Sequence, residues 1–214
     1  MADYSTDEER FAAFVNFFKD NKNTLLGTFL LISIVLISNI GYKSYTSSQN
    51  LKAAEIYDTW FLNMLSDSNN PDDVIENYDQ LQDGFAKTGY AQLARMIKGS
   101  SLAKEGDLDE ALKEFNALLD SSSGLFEDSI LNSIAKINIA RIQLSKQNFS
   151  DVLAVLESFS SSSEHPLVYE VKGDALVGLA KNNLALNQYE LALQNSRNES
   201  QKSLIKMKIN KLNN

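Results

Sequence analysis

The sequence predicts an all-α chain, a single N-terminal transmembrane helix followed by a soluble domain of repeated helical hairpins. Three observations carry this reading. Residues 24–42, TLLGTFLLISIVLISNIGY, form one run without a charged residue. The rest of the chain holds few breakers, with 2 prolines and 9 glycines in all 214 residues, and it lacks the short alternating β-branched runs that make strands. Finally, one arrangement of small and large residues recurs along the second half of the chain.

Residues 1–23 form a head rich in phenylalanine. Phe11, Phe14, Val15 and Phe18 follow the i, i+3, i+4, i+7 spacing of one helical face. Directly before a membrane span, such a helix can lie among lipid headgroups or serve as a docking handle for a partner. Residues 24–42 come next. Nineteen residues at helical rise cover about 28 Å, close to the ~30 Å hydrocarbon core of a bilayer. Lys22 and Lys43 bracket the run, and Tyr42 and Tyr45 fall where an interfacial aromatic belt belongs. The preceding stretch carries Asp3, Asp7, Glu8, Glu9 and Asp20, unlike the short basic lead of a signal peptide, and Asn39-Ile40-Gly41 makes a poor cleavage site. An uncleaved anchor is expected. Gly27, Ser33, Ser38 and Gly41 are candidate packing positions for a neighbouring membrane helix, unless they are merely tolerated. Arg10, Lys19 and Lys22 lie on one side of the span, Lys43 and Lys52 on the other, a slight bias toward a cytoplasmic N-terminus.

Residues 43–88 are expected to form membrane-proximal helices. Leu51, Ala54, Ile56, Tyr57, Trp60, Phe61, Met64 and Leu65 allow the helical phase to continue out of the membrane. The SDSNNPDD stretch stops it, and Pro71 with Asp72 and Asp73 opens the next helix, whose apolar face is Val74, Ile75, Tyr78, Leu81 and Phe85.

From residue 89 to 195 the chain repeats. GYAQLARMIKGSSLAKEGDLDEALKEFNALL reads as a helix, a tight turn at Glu105-Gly106-Asp107 and a second helix. Gly99 takes a small crossing position, with Leu102 beside it, and Ala111 and Phe115 are the small and aromatic positions of the second helix. A small residue lets two helices approach, and a large one fills the space alongside. Ala140, Val152 and Leu156 follow 41 residues later, and Gly173, Ala185 and Tyr189 a further 33. The SSSGLFED loop accounts for the longer first interval. The second copy is degenerate, with Val152 in place of Ala and Gln143 in place of an apolar residue. The pattern resembles a tetratricopeptide repeat, for which a period near 34 residues is expected. Residues 196–214 form a capping helix with Leu204, Ile205, Met207, Ile209 and Leu212. Its segment is basic, net +4, whereas residues 51–120 are net −8. A solvated cap is the plain reading; docking on an acidic surface or on lipid headgroups is the sharper one.

Composition excludes several function classes. Net charge is −8, and residues 43–214 alone carry −6, so nucleic acid is not an expected partner. Without cysteine there is no disulfide, thiolate metal site or cysteine nucleophile. His165, the sole histidine, sits in the SSSSEHP loop as a surface residue. Asp107, Asp109 and Glu110 cap a helix and lack calcium-loop spacing. No phosphate-cradling glycine loop or nucleophile motif is present. No enzyme, cofactor, metal or small-molecule substrate is expected.

The order of parts is similar to the YfgM family of ancillary SecYEG translocon subunits. The resemblance rests on the head ERFAAFVNFFKDN, the single anchor, the GDAL run at Gly173 and the terminal MKINKL at Met207–Leu212. It implies a bitopic inner-membrane protein with a cytoplasmic N-terminus and a periplasmic repeat domain. It also implies association with SecYEG and a PpiD-like membrane-anchored chaperone, acting on newly translocated proteins through protein–protein contacts. An envelope-complex assembly scaffold unrelated to secretion is the alternative. By repeat register, Met96, Ser100, Ala103, Ile137, Arg141, Glu170, Asp174 and Val177 would face a concave interaction groove, although several of them can instead be core.

Overall fold

The computed structural model describes residues 7–66, 70–122, 130–157, 159 and 165–213. Residues 123–128 of the expected 121–128 loop, most of the serine-rich stretch before His165 and part of the expected helix stop after Leu65 lie outside these residues, whereas Ser121 and Ser122 end a helix. The described residues form ten helices and no strand, and they divide into two compact units, Met1–Lys52 and Ala53–Asn214.

In the first unit, α1 (Asp7–Asp20) carries Phe11, Phe14, Phe17 and Phe18 exposed along its length. Asn21 does not end the hydrogen-bond ladder, since its N–H donates to Phe17 O at 3.0 Å and its carbonyl accepts from Leu25 N at 2.9 Å. The next helix, α2 (Lys22–Leu65), is the one helix among the described residues long and apolar enough to cross a membrane, and its most apolar window contains no buried residue. Several of its hydroxyls are satisfied locally. Thr28, Ser33 and Thr46 donate to the carbonyls of Thr24, Phe29 and Tyr42, each at 2.9 Å, which removes most of the cost of placing them in hydrocarbon. The helix does not end at Tyr42; it continues unbroken for 44 residues, as the apolar phase beyond Lys43 allows.

In the second unit the last turns of α2 are followed by α3 (Pro71–Phe85), α4 (Gly89–Glu105), α5 (Leu108–Ser122), α6 (Ile130–Ser145), α7 (Phe149–Glu157), α8 (Pro166–Gly178), α9 (Asn182–Asn195) and α10 (Glu199–Asn213). Local chemistry sets the boundaries. Asn70 accepts from Asp72 N with Pro71 at the first helical position, Thr88 accepts from Ala91 N at 3.3 Å, and Asp107 Oδ1 accepts from Glu110 N at 3.3 Å. The turns repeat as well. Gly106, Gln147 and Ala180 adopt the left-handed conformation, at φ 90°, 60° and 56°, at the same register of successive hairpins.

Packing is nearest-neighbour, as an array requires. Ala53, Trp60, Tyr78, Leu81, Ala91 and Ala94 join the end of α2 to α3 and α4, with Trp60 and Tyr78 rings 5.9 Å apart. Ala111, Phe115, Leu118, Ala135, Ile139 and Ile142 join α5 to α6. Ile137, Ala140, Val152, Leu156, Val168, Val171 and Ala175 join α6, α7 and α8. Leu176, Ala185, Tyr189, Ala192 and Ile205 join α8, α9 and α10. The small-against-large logic is visible at each crossing. A Cβ on Gly99 would lie 3.2 Å from the Phe115 ring, and one on Gly173 would lie 2.6 Å from Tyr189 Cδ1. Where the crossing residue is Ala140, its facing residue shrinks to Leu156.

Candidate functional site

The first helices of the hairpins, α4, α6 and α8, adjoin one another in sequence order. Between α4 and α6 they leave a cleft of about 390 Å³, lined by Ser100, Ala103, Lys104, Leu108, Asn138, Arg141, Ile142 and Ser145. Three of the residues expected on a groove, Ser100, Ala103 and Arg141, come together here. The cleft has an apolar floor in Ala103, Leu108 and Ile142. Ser100 and Ser145 donate to their own helices, at Met96 O (2.7 Å) and Arg141 O (3.1 Å), and Asn138 donates to Ile134 O (2.9 Å).

The other expected positions are distributed differently. Met96 packs against the cluster around Phe115. Ile137 is buried among Val168, Val171 and their neighbours, as core. Glu170 is also buried, and both Glu170 and Asp174 are engaged by α10. Lys208 Nζ lies 2.8 Å from Glu170 Oε1 and 2.8 Å from each Asp174 oxygen; Gln201 donates to Glu170 at 3.3 Å, and Tyr189 Oη donates to Asp174 at 2.7 Å. Burial disfavours the Lys208 ammonium, but the hydrogen bonds to Asp174 and Glu170 outweigh it, so its pKa lies above the ordinary lysine value. Burial, then the hydrogen bond to Asp174, raises the Tyr189 hydroxyl well above its ordinary value. Val177, with Asp174, Tyr189, Lys208 and Lys211, borders a second cleft of about 360 Å³. In the first unit Gly27 and Gly41 have open space where a Cβ would stand.

Sequence reasoning did not find a second charged cluster. Glu114 on α5 accepts from Tyr78 Oη of α3 and from Arg95 Nη1 of α4 at 3.1 Å, and Lys98 Nζ lies 3.1 Å away while also sitting 3.8 Å over the Tyr78 ring. Tyr78, Arg95 and Lys98 lie 16 to 36 residues before Glu114 in sequence, so no spacing rule points to the cluster. Nor did sequence reasoning find Gly178, whose missing side chain makes room for the Phe149 ring. Among the described residues no group of His, Cys, Asp and Glu is arranged to hold a metal.

The chain is similar to the ancillary SecYEG translocon subunit of Buchnera aphidicola subsp. Acyrthosiphon pisum, 23% identical over 198 residues, covering 92% of this chain and 97% of that protein. It is 21% identical over 216 residues to the ancillary SecYEG translocon subunit of Neisseria gonorrhoeae, covering 99% of this chain and 100% of that one. No solved structure matches it. The similarity to these subunits runs through anchor and repeats alike, as the resemblance to the YfgM family implies. The family model for a tetratricopeptide repeat-like domain matches residues 16–214, and the chain belongs to that family.

Proposed function

We propose that this chain is a single-pass inner-membrane adaptor of the SecYEG translocon that works by tethering and carries out no reaction of its own. The observation that supports it most is the pairing of an anchor with a helical-hairpin array, over the full length of which the chain is similar to ancillary translocon subunits. A tether replaces intrinsic affinity by effective concentration. Modest contacts, such as those the α4–α6 cleft can make, then suffice to hold a partner. In this reading α2 crosses the membrane with the N-terminus in the cytoplasm and the repeats in the periplasm. There they act beside a PpiD-like anchored chaperone on newly translocated proteins. The groove would use Ser100, Ala103 and Arg141, while Gly27, Ser33, Ser38 and Gly41 would admit a neighbouring membrane helix.

Affinity purification from native membranes separates this reading from that of an assembly scaffold. SecY should come down with the tagged chain at several times the level recovered with an unrelated single-pass protein; recovery of a different envelope complex without SecY would favour the scaffold. Topology is checked on the cysteine-free background. A cysteine replacing exposed Asn116 should react with an impermeant maleimide in spheroplasts, and one replacing exposed Asp7 should not.

A further inference from the structure

Each interior first helix of the array is covered by a following second helix: α4 by α5, α6 by α7, α8 by α9. The helix α10 packs inward through Ile205, Ile209 and Leu212 and through Lys208, and among the described residues no helix follows it. Its outer side therefore shows Leu204 at 46% and Met207 at 69% exposure, with Lys206 and Lys211 on its flanks. Neither lysine has an ion pair among the described residues, whereas Lys202 and Lys208 do. Toward the opposite end of the same unit, α3 packs on α4 and on the last turns of α2. Its outer side carries Asp72, Ile75, Glu76 and Asp79 at the i, i+3, i+4, i+7 positions of one stripe, bordering a shallow cleft with Gln80. Ile75 is 58% exposed, and none of these carboxylates has an ion pair among the described residues.

We infer that the open side of α10 is covered by α3 of a second copy of this chain, the acidic stripe against the basic one and Ile75 against Leu204 and Met207. The choice of a second copy rests on charge. One molecule carries both halves, +4 over residues 196–214 and −8 over residues 51–120, so two copies meet favourably only head to tail. Tail-to-tail pairing sets lysine against lysine, and head-to-head pairing sets carboxylate against carboxylate. A head-to-tail contact is heterologous and uses two different patches of each molecule. Two single-helix faces make a small, salt-sensitive interface, suited to proteins concentrated in one membrane rather than free in solution.

The test uses the full chain in detergent micelles, on its cysteine-free background. Two differently tagged populations, one Ile75→Cys and one Met207→Cys, are mixed and oxidised. Head-to-tail contact predicts about tenfold more mixed-tag disulfide dimer from this mixture than from 75/75 or 207/207 mixtures. The yield should drop to the level of those controls when the Met207→Cys copy also carries Lys206→Glu and Lys211→Glu. It should recover when the Ile75→Cys copy carries Glu76→Lys and Asp79→Lys. Equal yields from all three mixtures overturn the inference, as does a 75/207 yield that ignores charge reversal. Protection of Met207→Cys from maleimide only by anionic liposomes, without 75/207 dimer, also overturns it and assigns the α10 face to lipid. Unchanged melting of the charge-reversed chains excludes misfolding as the cause of a lost dimer.

Discussion

At the residue scale, the array depends on absent atoms. Gly173 faces Tyr189 and Gly99 faces Phe115, but the spaces differ. A methyl on Gly99 needs the neighbour to give by a few tenths of an ångström, whereas one on Gly173 collides with the aromatic ring. Gly173→Ala should therefore cost about 1–3 kcal/mol, and Gly99→Ala less than half of that. Thermal melting of the two variants checks the order; equal losses would mean that the two crossings are equally tight, against the difference in space. Lys113→Leu, on the exposed side of α5, should leave the melting temperature near that of the parent. The left-handed turn positions give the opposite kind of change. Gln147 holds φ 60° where Gly106 holds φ 90° in the preceding hairpin. A side chain there costs about 1–2 kcal/mol, partly offset by the entropy that glycine loses on folding, so Gln147→Gly should stabilise by about 0.5–1 kcal/mol. The small and large crossing residues were legible in the sequence because their spacing is fixed by the hairpin. Gln147 and Ala180 were not, since neither residue type signals a left-handed turn.

At the element scale, what the sequence leaves open is which side of a helix meets which neighbour. Glu170 and Asp174 carry the register of groove residues, yet α10 takes them through Lys208 and Gln201, and α9 holds Asp174 through Tyr189. Hydropathy marks α10 as a cap but says nothing about a lysine turned inward 34 residues from its carboxylate. Ser100, Ala103 and Arg141 do meet in one cleft, since α4 and α6 are covered on their other sides by their own hairpin partners. The Lys208 cluster makes a prediction about pH. Lys208 and Tyr189 both titrate above their ordinary values in the folded chain. Their protonated forms are thus favoured by folding, and the stability they contribute is complete below about pH 10 and lost as pH rises through the folded values. Melting at pH 11 should be lower than at pH 8, and the difference should shrink in Lys208→Met. An undiminished difference in that variant would place the alkaline sensitivity elsewhere. The same substitution leaves Glu170 buried without its cation and should lower stability by about 3 kcal/mol at neutral pH.

At the scale of the whole molecule, a helix of membrane-spanning length precedes a tetratricopeptide repeat-like array. The anchor was legible because nineteen uncharged residues between two lysines satisfy a physical length. Its continuation to Leu65 as one helix was legible only as a permissive phase, because nothing in residues 43–52 breaks it. Gly27, Ser38 and Gly41 fall within about 60° of one another on the α2 helical wheel and Ser33 about 120° from Gly27, so a neighbouring helix would approach along the first three. Replacing residues 24–42 with leucine should preserve membrane insertion while reducing the recovery of SecY; unchanged recovery would leave α2 a passive tether. The most direct measurement is site-specific photocrosslinking in intact membranes. A photoreactive residue replacing Ile34, between Gly27 and Gly41 on that same side, should give an adduct with a subunit of the SecYEG channel, and one replacing Ile32 on another side should give much less. Adducts with lipid alone from both positions, in cells where SecYEG is abundant, would contradict a channel contact along this side of α2 and leave the helix a passive tether.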